Sequence, residues 1–473
     1  MITLKDIVQA LSGKTFNQPG PMITEAVIDS RKAIPGSLFI ALKGERSDGH
    51  RYIDDAFKKG AQIALVHEDS SEIHRVMDLR GFPDIKPEKM PETPFCLRVE
   101  DTLTALQYIA KWWRDRLLLR VVGITGSVGK SSTKELVTEV LNQKYRTFKN
   151  PGNYNNEIGL PLTLLNISHG YERLVLEMGF YYPGEISFLC EIAQPEIGIV
   201  TNVGTVHAER AGSQEIIAAG KAELVHSLPE APDGTAVLNY DDPFVQAMAA
   251  ESKAEVFFYG LNPKADIWAD EIQGKGLKGI EFRMHYKGKS MKLEVPMLGR
   301  HSVQTILRAS AVGFTEGLTW DEVAEGLTTS NTQLRLVAIQ TRSGALILDD
   351  TYNATPESTI AALDLLNELK GQKIAVLGDM LELGQYEELG HQQVGRRAAE
   401  VVSHLIAVGQ RGRTIAETAK AEGLPPTAVT WVEDAIQAAD VLKYNLHEGD
   451  VVLIKGSHDL RMDRISAVLE EAA

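Results

Sequence analysis

The sequence predicts an α/β protein of three domains. Three observations carry that expectation. Short apolar runs alternate with segments of helical period along most of the chain. A length of 473 residues is enough for about three domains. One stretch, Val121–Ser132, reads V-V-G-I-T-G-S-V-G-K-S-S, an apolar strand, a glycine-rich turn and a Lys-Ser pair. The segments are expected at 1–98, a small N-terminal α/β domain; at 99–328, a central phosphate-loop domain with a mostly parallel sheet; and at 329–473, a C-terminal Rossmann-like domain.

The glycine-rich turn holds the clearest chemistry. Leu136, Val137, Val140 and Leu141 follow it on one helical face. Strand, small-residue turn and helix N-terminus together form a phosphate cradle. Thr125, Gly126, Ser127, Val128 and Gly129 make the turn, Lys130 supplies charge, and Ser131 offers a hydroxyl to Mg²⁺. The strict pattern places a glycine five residues before Gly129, where this chain has Ile124. A strand-to-helix turn that binds nothing is the plain alternative.

Composition narrows the function class. Lys and Arg number 49 against 64 Asp and Glu, a net charge of −15. That argues against a broad nucleic-acid or anionic-membrane surface. Cys96 and Cys190 have no metal-ligand spacing and read as reduced, buried thiols of a cytoplasmic protein. Met1–Gly13 is a short amphipathic stretch without the pattern of a signal peptide, and no run of 18 apolar residues spans a membrane.

In the first segment, Ala26–Ile28, Ser37–Leu42, Ala61–Val66 and Phe95–Val99 are expected strands, and Tyr52–Lys59 a helix. Four prolines make Gly81–Pro94 a loop. D-S-R at 29–31 and K-G-E-R-S-D-G-H at 43–50 gather polar groups at strand ends, as ligand loops or as solvated turns.

In the second segment, a helix is expected over 101–119. Asn153, Asn155 and Asn156 precede Gly159 and Pro161 in an Asn-rich turn before a helix. One buried strand, Leu174–Met178, carries Glu177; another, Ile197–Val200, runs into T-N-V-G-T-V-H at 201–207. A parallel sheet would bring Glu177 and His207 to the edge that carries the phosphate turn, where they could hold Mg²⁺ with Ser131. Lys221 sits among Ala218, Ala219, Ala222 and Leu224 in the helix Gln214–Leu228. It is either desolvated, with a shifted pKa, or snorkels to water. Ile280–Tyr286 and Met291–Val295 form a hairpin around K-G-K-S. Helices through Val312 and over Trp320–Leu327 precede a polar T-T-S-N-T linker.

The third segment alternates strands at Ala345–Leu348, Lys373–Leu377, Leu405–Val408, Val429–Val432 and Val451–Ile454 with helices. No G-x-G-x-x-G follows them, so dinucleotide binding is not indicated.

The order of these motifs resembles the Mur ligase family, ATP-dependent amide-forming enzymes of peptidoglycan precursor synthesis. The offset glycine of G-I-T-G-S-V-G-K-S-S is usual in that family. G-N-Y-N-N-E-I-G-L-P at 152–161, D-D-T-Y-N-A-T-P at 349–356 and L-G-D-M-L-E-L-G at 377–384 look like the members that add D-alanyl-D-alanine. The resemblance implies ATP and Mg²⁺ as cofactors, and a UDP-N-acetylmuramoyl-tripeptide and D-alanyl-D-alanine as substrates of a monomer. It implies Lys130, His207 and Lys221 as catalytic, with Lys221 carbamylated by CO₂. Ser131, Glu177 and His207 would serve Mg²⁺. His301, Arg335 and Asp350 would join the turn around the nucleotide. Ser30, Arg31, Asn155, Asn156 and Asn353 would bind substrate. Three departures stand out. The family run H-N-x-x-N reads His301, Ser302, Val303, Gln304, Thr305 here, with Gln304 a substitute for the missing amides. His458 follows K-G-S where Arg is common, and F-Y-Y-P-G-E-I at 180–186 is unusually aromatic. The sister ligase that adds the third amino acid, a folate polyglutamate ligase and a scaffold that has lost catalysis are the rival readings.

Overall fold

The computed structural model describes residues 1–14, 20–45, 47–80, 91–329, 336–341, 343–443 and 445–471. Three sheets organise it, one within each of the three sequence segments. The first contains β1 (Ala26–Val27), β2 (Leu38–Ile40), β3 (Ile63–Val66), β4 (Val76–Asp78) and β5 (Phe95–Arg98) in the order β1-β2-β3-β5-β4, with every pair parallel. Strand β4, with only Met77 buried, escapes a sequence reading because three residues show no period. The two-residue β1 falls within the expected strand Ala26–Ile28.

The central sheet has nine strands: β6 (Arg120–Thr125), β7 (Thr147–Lys149), β8 (Arg173–Glu177), β9 (Ile197–Val200), β10 (Thr235–Asn239), β11 (Glu255–Gly260), β12 (Ile267–Gly274), β13 (Ile280–Tyr286) and β14 (Lys289–Val295). Their order is β14-β13-β12-β11-β10-β9-β6-β8-β7. The chain leaves β6 for β7 and β8 on one side, then returns to β9 on the other. Strand β6 is therefore the topological switch point, where open α/β sheets place ligands beyond the strand's C-terminal end. The hairpin β13–β14 turns on Lys287 and Gly288, both at positive φ (47° and 73°). Lys289 and Ser290 consequently belong to the strand, not the turn.

The third sheet holds β15 (Val337–Gln340), β16 (Leu346–Asp350), β17 (Gln372–Gly378), β18 (His404–Val408), β19 (Val429–Val432) and β20 (Asp450–Lys455) in the order β15-β16-β20-β17-β18-β19. Only β15 is antiparallel to its neighbour. Alternation along the strands fills two cores. Val451, Leu453, Ala375, Leu377, Leu405 and Ala407 face the helices Pro356–Glu368, Glu387–Val401 and Gly412–Ala421. Val452, Ile454, Ile374, Val376, Ile406 and Val408 face Ala435–Lys443 and Asp463–Glu471.

The helix expected over 101–119 spans Thr102–Arg114. Its start, capped by Asp101, falls at the expected position; its end comes earlier, and Leu118 points to solvent and breaks the apolar stripe. Most of the Pro-rich loop and of the T-T-S-N-T linker lies outside the described residues. By compactness the chain divides into one unit of Met1–Gly123, Tyr145–Gly179 and Glu185–Glu196, and a second of Ile124–Lys144, Phe180–Gly184 and Ile197–Ala473.

Leu453, fully buried in the middle of the third sheet, tests the two-core packing. We expect Leu453→Ala to cost about 2–5 kcal/mol, seen as a lower denaturant midpoint. A loss below about 0.5 kcal/mol, the range of a surface change, would contradict that packing.

Candidate functional site

The phosphate turn is held by the segment that follows β9. Ser127 N donates to Asn202 O at 3.0 Å, and Val128 N donates to Asn202 Oδ1 at 2.9 Å. Thr201 Oγ1 donates to Val128 O at 2.7 Å, and Gly204 N donates to Ser127 Oγ at 2.8 Å. Gly126 has φ +141°, and a Cβ there would stand 1.8 Å from Thr201 Oγ1, so only glycine fits. Two of the turn's amides are thus taken up by Asn202. The helix Lys130–Asn142 begins at Gly129 with no side-chain cap. Its first amides lack intrahelical acceptors and favour an anion. Lys130 Nζ folds back to Gly126 O at 2.7 Å and Ser127 O at 3.3 Å. Asn202 and Thr201 are missing from the sequence-predicted site, although T-N-V-G-T-V-H was singled out as a strand-end turn.

His207 stands in left-handed backbone (φ +71°) at the start of a short helix. Its Nδ1 lies 2.6 Å from Glu382 Oε2, and Arg210 Nη2 lies 3.7 Å from Glu382 Oε1. Glu382, at φ +65°, is the glutamate of L-G-D-M-L-E-L-G, and His207 holds its carboxyl below the usual range. Burial pushes the His207 imidazole down from its ordinary value, against the pull of Glu382. A neutral ring that donates Nδ1–H to a carboxylate presents Nε2 as a lone pair, the form a metal ligand takes. Two residues at positive φ facing each other is a costly arrangement that a functional contact explains. Tyr181 packs edge-on to His207 at 5.0 Å, with the Arg210 guanidinium 4.7 Å from its ring. Glu382 could not be found from sequence, since 175 residues separate it from His207.

Glu177 ends β8 and is 2% exposed. Asn150 brackets its backbone: Glu177 N donates to Asn150 Oδ1 at 2.9 Å, and Asn150 Nδ2 donates to Glu177 O at 3.1 Å. Asn155 Nδ2 donates to Glu177 Oε1 at 2.9 Å. Asn156 Oδ1 accepts from Gly159 N at 2.9 Å and so supports the start of helix Gly159–Leu165. The Asn-rich run therefore divides its labour: one amide orients the carboxylate and one starts a helix.

Lys221 is fully buried in the helix Gln214–His226. Its Nζ has no hydrogen-bond partner and lies 5.0 Å from the Phe180 ring centre. Gly220 makes room for that ring, since a Cβ there would meet Phe180 Cε2 at 2.0 Å. Desolvation, and next the charge on Lys130, drive the amine well below its ordinary value of 10.5. Magnitudes agree with the direction: a cation–π contact returns about 2 kcal/mol when desolvated. Burying an unpaired ammonium costs several. Burial therefore disfavours the charged form of Lys221 and favours the amine as a nucleophile over a counter-ion. The aromatic run at 180–186 supplies both Phe180 over Lys221 and Tyr181 against His207.

The remaining sequence-predicted residues are placed as follows. His301 precedes the helix Ser302–Thr315 and is exposed. Gln304 Nε2 donates to Asp241 Oδ2 at 2.6 Å, while Ser302 Oγ donates to Leu298 O at 2.6 Å. Asp350 pairs with the buried Lys455 of K-G-S-H at 2.6 Å, and Lys455 Nζ also donates to Asn353 O at 2.8 Å. Lys455 thus ties two expected residues together. In the first segment Ser30 is buried, whereas Arg31 clamps Asp29 with Nη2–Oδ2 at 2.8 Å and holds that carboxyl at about 2. His50 Nδ1 faces Asp48 at 2.7 Å, and its Nε2 accepts from His67 N at 3.1 Å. The D-G-H part of the 43–50 loop is therefore a structural bracket. Arg335 lies outside the described residues.

A phosphate turn at the switch point of a mostly parallel sheet, beside a desolvated lysine, defines a phosphate-loop α/β protein. The chain belongs to the Mur ligase family. The family's N-terminal catalytic-domain model matches residues 23–114, its middle domain 124–313 and its glutamate ligase domain 334–458. UDP-N-acetylmuramoyl-tripeptide–D-alanyl-D-alanine ligase of Bacillus subtilis is 36% identical, over 99% of this chain and 98% of that protein. The Escherichia coli ligase of the same name is 33% identical over 99% and 98%. Among solved structures, MurF from Acinetobacter baumannii superposes with a TM-score of 0.83 at 28% identity, covering 99% and 98% of the two chains. MurF from Thermotoga maritima in complex with ADP gives 0.78 at 28%, covering 95% and 97%.

The neutral lysine has a pH signature. Its folded pKa is depressed, so the unfolded chain binds the extra proton between the folded value and 10.5. Lys221 therefore weakens the fold increasingly as pH falls through that window. We expect Lys221→Met to unfold at a higher denaturant midpoint than wild type at neutral pH, with the gap closing as pH approaches 10.5. A gap that is absent or widens with pH would show that the amine is charged in the fold.

Proposed function

We propose that this chain is an ATP-dependent, ADP-forming ligase that joins D-alanyl-D-alanine to UDP-N-acetylmuramoyl-tripeptide in cytoplasmic peptidoglycan precursor synthesis. The observation that carries this reading is Lys221, a buried and unpartnered amine within electrostatic reach of Lys130. Full-length likeness to the ligases named above supplies the substrate class. Residues 1–98 take the UDP-sugar peptide with Ser30 and Arg31. Residues 99–328 take ATP on Thr125–Ser131 and His301. Residues 329–473 contribute Asp350, Arg335 and Asn353 toward nucleotide and dipeptide.

The tripeptide carboxylate attacks the γ-phosphorus of ATP, giving an acyl phosphate and ADP. The dipeptide amine then attacks the acyl carbon, the C–O bond breaks, and phosphate leaves. The first step brings two anions together, so charge neutralisation dominates it. Lys130, freed from the carbonyls of Gly126 and Ser127, meets the phosphates. Ser131, Glu177 and His207 have the oxygen and nitrogen donors to serve Mg²⁺, which supplies further neutralisation when bound. A desolvated neutral lysine fits carbamylation: Nζ bonds the carbon of CO₂, a proton leaves to water, and an anion able to orient the metal results. Asn155, bonded to Glu177, and Glu382, bonded to His207, act as positioning residues.

Phosphate release measured with ATP, Mg²⁺ and the UDP-tripeptide tests the reading. We expect release to depend on D-alanyl-D-alanine, and Lys130→Ala to lower it by at least about 10³-fold with an unchanged unfolding midpoint. Dependence on a free amino acid would assign the sister reaction. No release with any acceptor would leave only a binding scaffold.

A further inference from the structure

Arg308 lies in the second turn of the helix Ser302–Thr315 and is 5% exposed. A guanidinium offers five donors and keeps its charge at every physiological pH. Here Nη2 donates to Thr305 Oγ1 at 2.6 Å, and Nη1 reaches the Tyr259 hydroxyl at 3.4 Å. Tyr259 is itself spent on the carbonyls of Val200 and Thr201. Arg308 Nε is buried with no partner, and no carboxylate pairs with the guanidinium among the described residues. Among the described residues the fold therefore encloses a permanent cation without a counter-ion, an arrangement that is costly unless something else supplies the anion.

The location says what that is. A Cβ on Gly129 would stand 2.7 Å from Arg308 Nη2, so the fork lies against the residue that opens the helix Lys130–Asn142. That thirteen-residue helix begins without a side-chain cap. A helix N-terminus with no side-chain cap and a buried guanidinium with no carboxylate partner among the described residues meet at one glycine, and each favours negative charge. Thr305, which holds the fork, is one of the two positions where the H-N-x-x-N run loses an amide.

We propose that Arg308 is a nucleotide-binding cation additional to Lys130, pairing with a phosphate oxygen of the nucleoside di- or triphosphate in the turn. It rests on the reading of that turn as the ATP site. In this chain, grip on the phosphates replaces part of the grip that the two lost amides would give.

Calorimetric titration of ADP, with Mg²⁺, into wild type, Arg308→Lys, Arg308→Met and Thr305→Val tests it, alongside the unfolding midpoint of each ligand-free protein. Charge-assisted hydrogen bonds set the expected loss for Arg308→Met at about 10- to 100-fold in affinity. Arg308→Lys keeps the charge and should lose less. Thr305→Val frees the fork and should lose a few-fold. The ligand-free Met variant should unfold no earlier than wild type, since an unpaired buried charge has gone. Unchanged affinity in Arg308→Met, or equal losses in the Lys and Met variants, would overturn the proposal and leave Arg308 a brace for the turn. If Arg308→Met does not fold, Thr305→Val decides, and unchanged affinity there overturns it. Failure of the wild type to bind ADP would instead remove the nucleotide site itself.

Discussion

The site is built on a conflict between two amines. Lys221 and Lys130 feel each other's charge, and Lys221 is sealed from water under Phe180. The charge on Lys130 adds to burial in disfavouring the protonated form of Lys221. Lys130 remains partly exposed and finds two carbonyls, whereas Lys221 Nζ finds no hydrogen-bond partner. The rest of the local sequence serves that outcome. Gly220 has no side chain because the Phe180 ring occupies its Cβ position, and the buried positions of the helix beside Lys221 are the apolar Ile217, Ala222, Leu224 and Val225. The result is an amine whose charged form is disfavoured, beside a cationic turn, which is the reactivity that the proposed CO₂ capture requires.

Around this pair, an acidic chain of net charge −15 assembles a local cationic site. The positively charged parts are short-range: the N-terminus of helix Lys130–Asn142, Lys130 and the buried Arg308. Short-range groups in a dry site outweigh a diffuse negative surface, because salt and water screen distant charge far more than buried charge. The turn that holds these groups is not left to flex. Asn202 takes two of its amides and Thr201 one of its carbonyls, so strand β9 sets the shape of the loop after β6. The switch point between those strands is what brings Thr201, Asn202 and His207 to the same sheet edge as Gly126 and Lys130.

Much of this was legible in the sequence because it is local. The strand–turn–helix around Gly126–Lys130, the strands Ile197–Val200 and Val429–Val432, and the small-residue setting of Lys221 depend on neighbours within a few positions. The hairpin was legible too, though its turn is Lys287–Gly288, not the whole of K-G-K-S. The short strands β4 and β15 were not, since their mostly half-buried or exposed positions make no continuous buried run, unlike Ile197–Val200. Contacts over long separations were equally hidden: Glu382 on His207, Lys455 on Asp350, and Arg308 against Gly129. The aromatic F-Y-Y and the substituted 301–305 run looked like departures from a pattern. In the fold they have partners, Phe180 over Lys221 and Thr305 on Arg308.

The central claim is that Lys221 acts as an anion made from a neutral amine. Its most direct measurement is ligation by Lys221→Ala with and without a small added carboxylate such as acetate or formate. The account requires a large loss of activity in the variant and partial recovery as the carboxylate concentration rises, with no such effect on wild type. Undiminished activity in Lys221→Ala, or a loss that no small carboxylate restores in a folded variant, would contradict it.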